Sequence, residues 1–148
     1  MKPHPGRLAL SIYPFKIEIQ TRFADVDLQH HLNNVRIVEI YQEARSSFNV
    51  ALWGGSDLDA RSHRLLVVRQ SIDYMGEARW PGTVLIGAGV SHAGNTSYSI
   101  GLAMFQDGKC VGISDAVLVY ATQQGPAPIP ERMREVLATK MLPESARP

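Results

Sequence analysis

The chain contains a single cysteine, Cys110, so it cannot close an internal disulfide framework. Charge of one sign is also lacking: 15 Lys and Arg stand against 14 Asp and Glu, mixed along 148 residues. Without a basic stripe to neutralise a phosphate backbone, nucleic acid is not an expected partner. Long apolar runs are missing, and no charged-then-apolar leader opens the sequence. Neither a membrane span nor a signal peptide is therefore expected, and the expected location is a reducing cytoplasm. What is there, 45% hydrophobic and 20% charged residues, is the composition of an ordinary globular protein. The length suits one domain over residues 1–148 with one core, since chains of this size bury roughly 70% of their unfolded surface.

Along the chain the punctuation is clear. The opening MKPHPGRLALSI combines two prolines and a glycine with little periodicity, and reads as a loosely held arm over residues 1–12. From Phe15 the order FKIEIQTRF alternates apolar and polar, the period of a half-buried strand. From Asn33, the apolar residues Ile37, Ile40, Tyr41, Ala44, Phe48 and Leu52 recur at spacings of three and four, which predicts one long helix ending at Gly54-Gly55. Ser56 to Arg64 reads as polar loop, and the chain from there to Gln124 as strand.

Within that β-rich half, LLVVRQSIDYM sets Val68, Ile72 and Tyr74 on one face with Arg69, Ser71 and Asp73 on the other. In TSYSIGLAMF the residues Tyr98, Ile100, Leu102 and Met104 would face a core. Gln106-Asp107-Gly108-Lys109 is a two-residue hairpin signal leading into CVGISDAVLVYA. PERMREVLATKML, with a proline near its start, predicts a short terminal helix. Strand, long helix, several antiparallel strands, helix is a segregated order, and it argues for an α+β layer in which an antiparallel sheet packs on the single long helix.

Several motifs carry little chemistry. GAGVSHAG lies within strand-like sequence, and its third glycine comes too late for a dinucleotide loop; a curved strand with closely approaching neighbours accounts for it better. No metal or other cofactor is expected: His30 and His31 are adjacent, so on a helix they would point about 100° apart, and no HExxH-type spacing occurs. Cys110 has no sequence-local base and is expected to act as a small hydrophobe, and Asp73 and Asp115 as solvent-facing or paired carboxylates. His63 and His92 carry no signal beyond their loop-like surroundings.

RFADVDLQHHLNN, residues 22–34, is different. Asp25, Asp27, Asn33 and Asn34 are all able to cap a helix, yet a cap needs only one of them. The remaining polar groups fit either a solvated junction or a site.

This stretch, followed by IYQEAR, resembles the D-x-D-x-x-G-H-x-N-N … E-x-A-R signature of hot-dog-fold acyl-CoA thioesterases of the 4-hydroxybenzoyl-CoA thioesterase type. IDYMGEARWPGTV is similar to the family's I-D-Y-x-x-P-A-R-x-G-D-x-V stretch, and GNTSYSIGLAMFQDGKCVGISDAVLVYA to its last hairpin. His30 stands where the pattern has glycine, Ile37 where it often has tyrosine, and Gly76-Glu77 where a proline is common. The resemblance, over residues 15 to about 140, implies a hot-dog fold: an antiparallel β-sheet wrapped around one long central α-helix. It further implies sheets paired across a homodimer or dimer of dimers, acyl-CoA at the interface, and Asp27 as the catalytic carboxylate.

On that basis the expected reaction is hydrolysis of an acyl-CoA or acyl-carrier-protein thioester, with Asp27 as nucleophile or general base. The tetrahedral oxyanion would be met by backbone N–H groups at the helix start. His31 and Asn34 are assigned to positioning the thioester or water. Asn33 is assigned to capping and counted with the substrate-binding residues. For CoA, the turn Gly94-Asn95-Thr96-Ser97 offers N–H and hydroxyl groups, and Arg69 or Arg79 could meet phosphate. If the strand continued through residues 25 and 27, both aspartates would share one face and could not both stay ionised in a dry pocket. Asp25 is accordingly read as structural. Two alternatives stay open: a hot-dog enoyl-thioester hydratase or dehydratase using a histidine with a carboxylate, and a non-catalytic acyl-CoA-binding protein.

Overall fold

The structure is a computed structural model, and it describes residues 5–54 and 63–148. Strand β1 (Phe15–Gln20) gives way through a short 3₁₀ turn at Phe23–Asp25 to helix α1 (Asn34–Trp53). The helix begins where the Asn33 side chain accepts a hydrogen bond from the Val35 N–H at 2.8 Å, satisfying one of the donors that a helix start leaves free. It ends at Gly54, whose φ of 71° is the left-handed geometry that closes helices at lowest cost in glycine. Gly55 and the loop-like segment through Ser62 lie outside the described residues. The periodic face buries as expected: Ile37, Ile40, Tyr41, Ala44, Phe48 and Leu52 are all in the core.

Strands β2 (Arg64–Tyr74), β3 (Thr83–Ala93), β4 (Ser97–Gln106) and β5 (Lys109–Thr122) complete an antiparallel sheet of order β1-β3-β4-β5-β2, with the short β6 (Gly125–Pro126) beside β5. The sheet curls around α1, the hot-dog arrangement, and one core joins the helix to Val84, Ile86, Tyr98, Ile100, Leu102, Met104 and Leu118. Between β4 and β5, Asp107 and Gly108 adopt φ of 50° and 78°, the paired positive values of a tight hairpin that Asp-Gly favours. Helix α2 (Glu131–Ala138) follows, with Pro130 at its cap, and buries Leu137 in the same core.

Two expectations are corrected. Residues 5–12 are not a loosely held arm, although Met1 to His4 lie outside the described residues. Arg7 is buried: it donates to the Tyr13 hydroxyl, to Asp115 at 2.9 Å, and to the backbone oxygens of Leu102 and Ser114. With Tyr13, Leu142 and Ala146 it covers the outer sheet face over Ala103, Phe105 and Ile113. A Cβ on Gly87 would lie 2.5 Å from the Tyr13 ring, one on Gly89 2.5 Å from Leu142, and one on Gly101 2.8 Å from Arg7. The glycines of GAG thus admit side chains from the two chain ends, the close approach expected for that stretch.

The face pattern read from β2 also fails. A register shift between Val67 and Arg69 leaves Val68 unpaired and 60% exposed, and Tyr74 is exposed as well. A bulge inserts one residue and so inverts an alternation that single-strand periodicity assumes constant.

Candidate active site

The polar run is a small hairpin set against the start of α1. Val26 and Leu32 bridge antiparallel, the Asp27 N–H donates to the His31 carbonyl oxygen, and the His30 N–H donates back to the Asp27 carbonyl oxygen, each at 3.0 Å. His30 closes the turn at φ 65°, a conformation that costs a non-glycine residue about 1 kcal/mol, and it supplies the geometry for which the family pattern carries glycine. The hairpin is anchored from behind by the Leu32 N–H on the Ala78 oxygen and the Asn33 N–H on the Asp25 oxygen. The half-buried Asp27 carboxylate accepts the Gln29 N–H at 2.9 Å, which fixes its rotamer. His31 lies 2.8 Å through Nε2 from the Glu77 carboxylate, and Glu77 is 3.4 Å from the Arg79 guanidinium. Asn34 is the first helical residue, exposed beside the hairpin.

The two aspartates are separated by shape. The 3₁₀ turn breaks the strand before Asp25, so residues 25 and 27 do not share a strand face. Asp25 is 2% exposed and points inward, accepting from the Arg22 N–H and the Arg22 guanidinium, with Arg36 Nε 3.0 Å away. Burial opposes its ionisation, but the hydrogen bonds from Arg22 and the charge of Arg36 outweigh that and hold its carboxyl below the ordinary value. A carboxylate so fully occupied by donors is a structural anchor.

The remaining expected site residues fall into two groups. Arg79 belongs with the hairpin: its carbonyl oxygen accepts from the Thr21 hydroxyl, and its N–H donates to Gln106 at the end of β4. The Gly94–Ser97 turn opens β4 at the other end, about 30 Å away by strand rise. There the Arg134 guanidinium already occupies the Gly94 and Asn95 carbonyl oxygens, the Ile129 N–H also binds Asn95, and the Tyr120 N–H binds the oxygen of Thr96. Arg69 sits exposed in the middle of β2. One chain therefore gathers Asp27, His31, Asn33, Asn34 and Arg79, and keeps Arg69, Asn95, Thr96 and Ser97 apart. Cys110 is half-buried beside the Gly112 oxygen, and burial pushes its thiol up, against nucleophilic use. Among the described residues no three His, Cys, Asp or Glu side chains form a metal-ligating group.

Sequence reasoning missed Glu77. The departure from proline at Gly76-Glu77 was visible, but nothing local ties that carboxylate to a histidine 46 positions earlier, as 77 − 31 gives.

A curled antiparallel sheet around one long helix is the hot-dog fold. The model of the thioesterase-like superfamily matches residues 21–137. The chain belongs to that superfamily and is a thioester hydrolase. No curated protein matches it. Among solved structures it is similar to a protein from Pseudomonas aeruginosa strain PAO1, with 27% identity, 91% of this chain and 97% of that one covered, and a TM-score of 0.79. It is also similar to a thioesterase from Thermus thermophilus complexed with coenzyme A and Zn, with 23% identity, 84% and 98% coverage and a TM-score of 0.74. A third similar structure is a 1,4-dihydroxy-2-naphthoyl-CoA thioesterase from Synechocystis, with 17% identity, 84% and 95% coverage and a TM-score of 0.73. No helix among the described residues is long and apolar enough to cross a membrane.

Proposed function

We propose that the protein hydrolyses acyl-CoA thioesters with Asp27 as its reactive carboxylate. The observation that carries this reading is the division of labour between the aspartates: Asp25 is consumed by Arg22 and Arg36, while Asp27, oriented by the Gln29 N–H, remains half-open beside the start of α1. As general base, Asp27 takes a proton from water, and the oxygen attacks the thioester carbonyl carbon. The oxyanion forms against N–H groups of the first turn of α1; then the C–S bond breaks and the thiolate leaves with the proton. As nucleophile, the same carboxylate forms a mixed anhydride that water then opens. His31, tied to Glu77, and Asn34 orient the thioester or the water.

The substrate site is read as shared between two copies. Among the described residues the outer side of β2 has no partner strand, with Leu66, Val67 and Val68 exposed, and such an edge calls for one. Antiparallel pairing of two β2 strands across a two-fold axis would bring the partner subunit's 94–97 turn toward the Asp27 end, where Asn95, Thr96 and Ser97 could meet pantetheine while Arg79 meets phosphate. The relative complexed with coenzyme A and the relative named for an aryl-CoA substrate favour CoA over a carrier protein.

The test is thiol release with dithionitrobenzoate across short, long and aromatic acyl-CoAs. Turnover abolished by Asp27→Asn is expected, and turnover indifferent to that change would sink the reading. The His31–Glu77 pair keeps a second reading, enoyl-thioester hydration, which predicts loss of enoyl absorbance without thiol release.

A further inference from the structure

Glu77 stands where the family pattern has proline, and one oxygen of its carboxylate is met from two sides. Oε2 lies 2.8 Å from His31 Nε2 and 3.4 Å from the Arg79 guanidinium. His31 and Arg79 fall on the signature stretches, and the carboxylate that joins them departs from the pattern. The backbone explains the meeting. The Met75 and Gly76 N–H groups donate to the Val111 oxygen, and the Ala78 oxygen accepts the Leu32 N–H at 2.9 Å, so the segment 75–78 is held alongside the hairpin with Glu77 facing His31.

The two contacts are unequal. A separation of 2.8 Å is that of a charge-assisted hydrogen bond, whereas 3.4 Å is beyond it. A carboxylate only accepts, so the Nε2 that faces it carries the proton, and the neutral ring keeps its lone pair on Nδ1. Hydrogen bonds in a chain polarise one another: the more of the Glu77 charge that is directed at the Nε2 proton, the better an acceptor Nδ1 becomes for a hydrogen of water. One oxygen serving two donors divides that charge, and Arg79 therefore competes with His31 for it. Arg79 is built to let go. Its N–H is bound by Gln106 and its carbonyl oxygen by Thr21 and Gln106, while its side chain is 69% exposed. The guanidinium can swing with its main chain held, and exposed pairs of this kind are weak. Arg22 and Arg36 are committed to the buried Asp25, whereas the carboxylate beside Arg79 is half-exposed and easily outcompeted by a phosphate.

We propose that Glu77 is a positioning residue that couples the two ends of the substrate. Phosphate bound at Arg79 releases Glu77 to His31, and the imidazole then orients the attacking water. A thioester that carries the nucleotide is thereby turned over faster, and not only bound more tightly, because remote binding is spent at the reacting end. The inference rests on the thioesterase reading above, with Arg79 as its phosphate ligand.

The test compares an acyl-CoA with the matching acyl-pantetheine, which has the same acyl group and thioester without phosphate. In the wild type, kcat on acyl-pantetheine should be lower by about fivefold or more, and added adenosine 3′,5′-bisphosphate should raise it. Glu77→Gln should bring kcat on acyl-CoA down to about the acyl-pantetheine value without raising KM, and remove the activation; Glu77→Asp should recover part of both. Arg79→Met should raise KM for acyl-CoA and, because Glu77 then belongs to His31 throughout, raise kcat on acyl-pantetheine by about threefold or more. A residue that only binds phosphate does not predict that rise. Equal wild-type kcat on the two substrates overturns the proposal, as does a CoA-to-pantetheine kcat ratio that Glu77→Gln leaves unchanged, or no rise with Arg79→Met. The wild-type and Arg79→Met readouts decide the matter even if Glu77→Gln fails to fold. The ¹⁵N signals of the His31 imidazole need no turnover: they should move when adenosine 3′,5′-bisphosphate is added to the wild type and stay still in Glu77→Gln, and movement in both or in neither counts against the coupling. Movement of that kind with no thioester hydrolysed keeps the coupling and ends the hydrolase reading. Hydrolysis with equal kcat and no such movement does the reverse.

Discussion

Asp25 and Asp27 are two positions apart and chemically opposite, and each has its own experiment. Asp27→Asn should cut kcat by about 10²-fold or more while KM moves less, because a nucleophile or base acts in the transition state. Steady-state kinetics on the best acyl-CoA checks it. Asp25→Asn should instead cost about 3 kcal/mol of stability by breaking a buried ion cluster. Because its folded pKa is lowered, the stabilisation is complete above the unfolded carboxylate value, about 3.9, and disappears as pH falls through the lower folded value. Urea midpoints should therefore drop below about pH 4 in the wild type more steeply than in Asp25→Asn, and parallel pH profiles would show the anchor assignment to be wrong. His30→Gly keeps the left-handed turn but removes the strain a Cβ carries there, and should leave kcat/KM within about threefold, with stability unchanged or raised by up to about 1 kcal/mol. A loss of about 10²-fold in a folded variant would make the imidazole an acid or base and favour the hydratase reading.

At the scale of elements, local chemistry and tertiary demand agree in some places and part in others. The α1 stripe, its Asn33 cap and the Asp107-Gly108 hairpin were legible, because periodicity, capping and positive φ are all set within a few residues. Gly108→Ala should cost about 1 kcal/mol by thermal denaturation, since φ is 78° there and no neighbour stands within 4 Å of the new Cβ to compensate or clash. The face of β2 was misread because a bulge at Val68 is decided by its pairing with β5, which no single-strand alternation reports. Residues 26–32 fold back on themselves through the Val26–Leu32 bridge and the Asp27–His31 and His30–Asp27 hydrogen bonds, and the distant Ala78 oxygen, which accepts from the Leu32 N–H, holds the hairpin against the rest of the fold.

For the whole molecule, the proposed dimer rests on the exposed apolar residues Leu66, Val67 and Val68 along the edge strand β2. Light scattering at micromolar concentration should give a dimer or larger assembly, not a 16.3 kDa monomer. Val67→Lys, which puts charge on the exposed edge, should shift the assembly toward monomer and make Tm fall on dilution. An unshifted mass would place the interface elsewhere.

The sequence by itself determined the class of the fold, the long helix with its cap and stop, and the Asp107-Gly108 hairpin, because these depend on spacing and local backbone chemistry. The tertiary structure alone decided which aspartate is buried, since that follows from Arg36 meeting Asp25 across the start of α1. It decided that Glu77 meets His31 and that Arg7 threads the outer face of the sheet. Each of these is a contact between distant residues, and the partner of a charge is set by packing, which residue order does not encode locally.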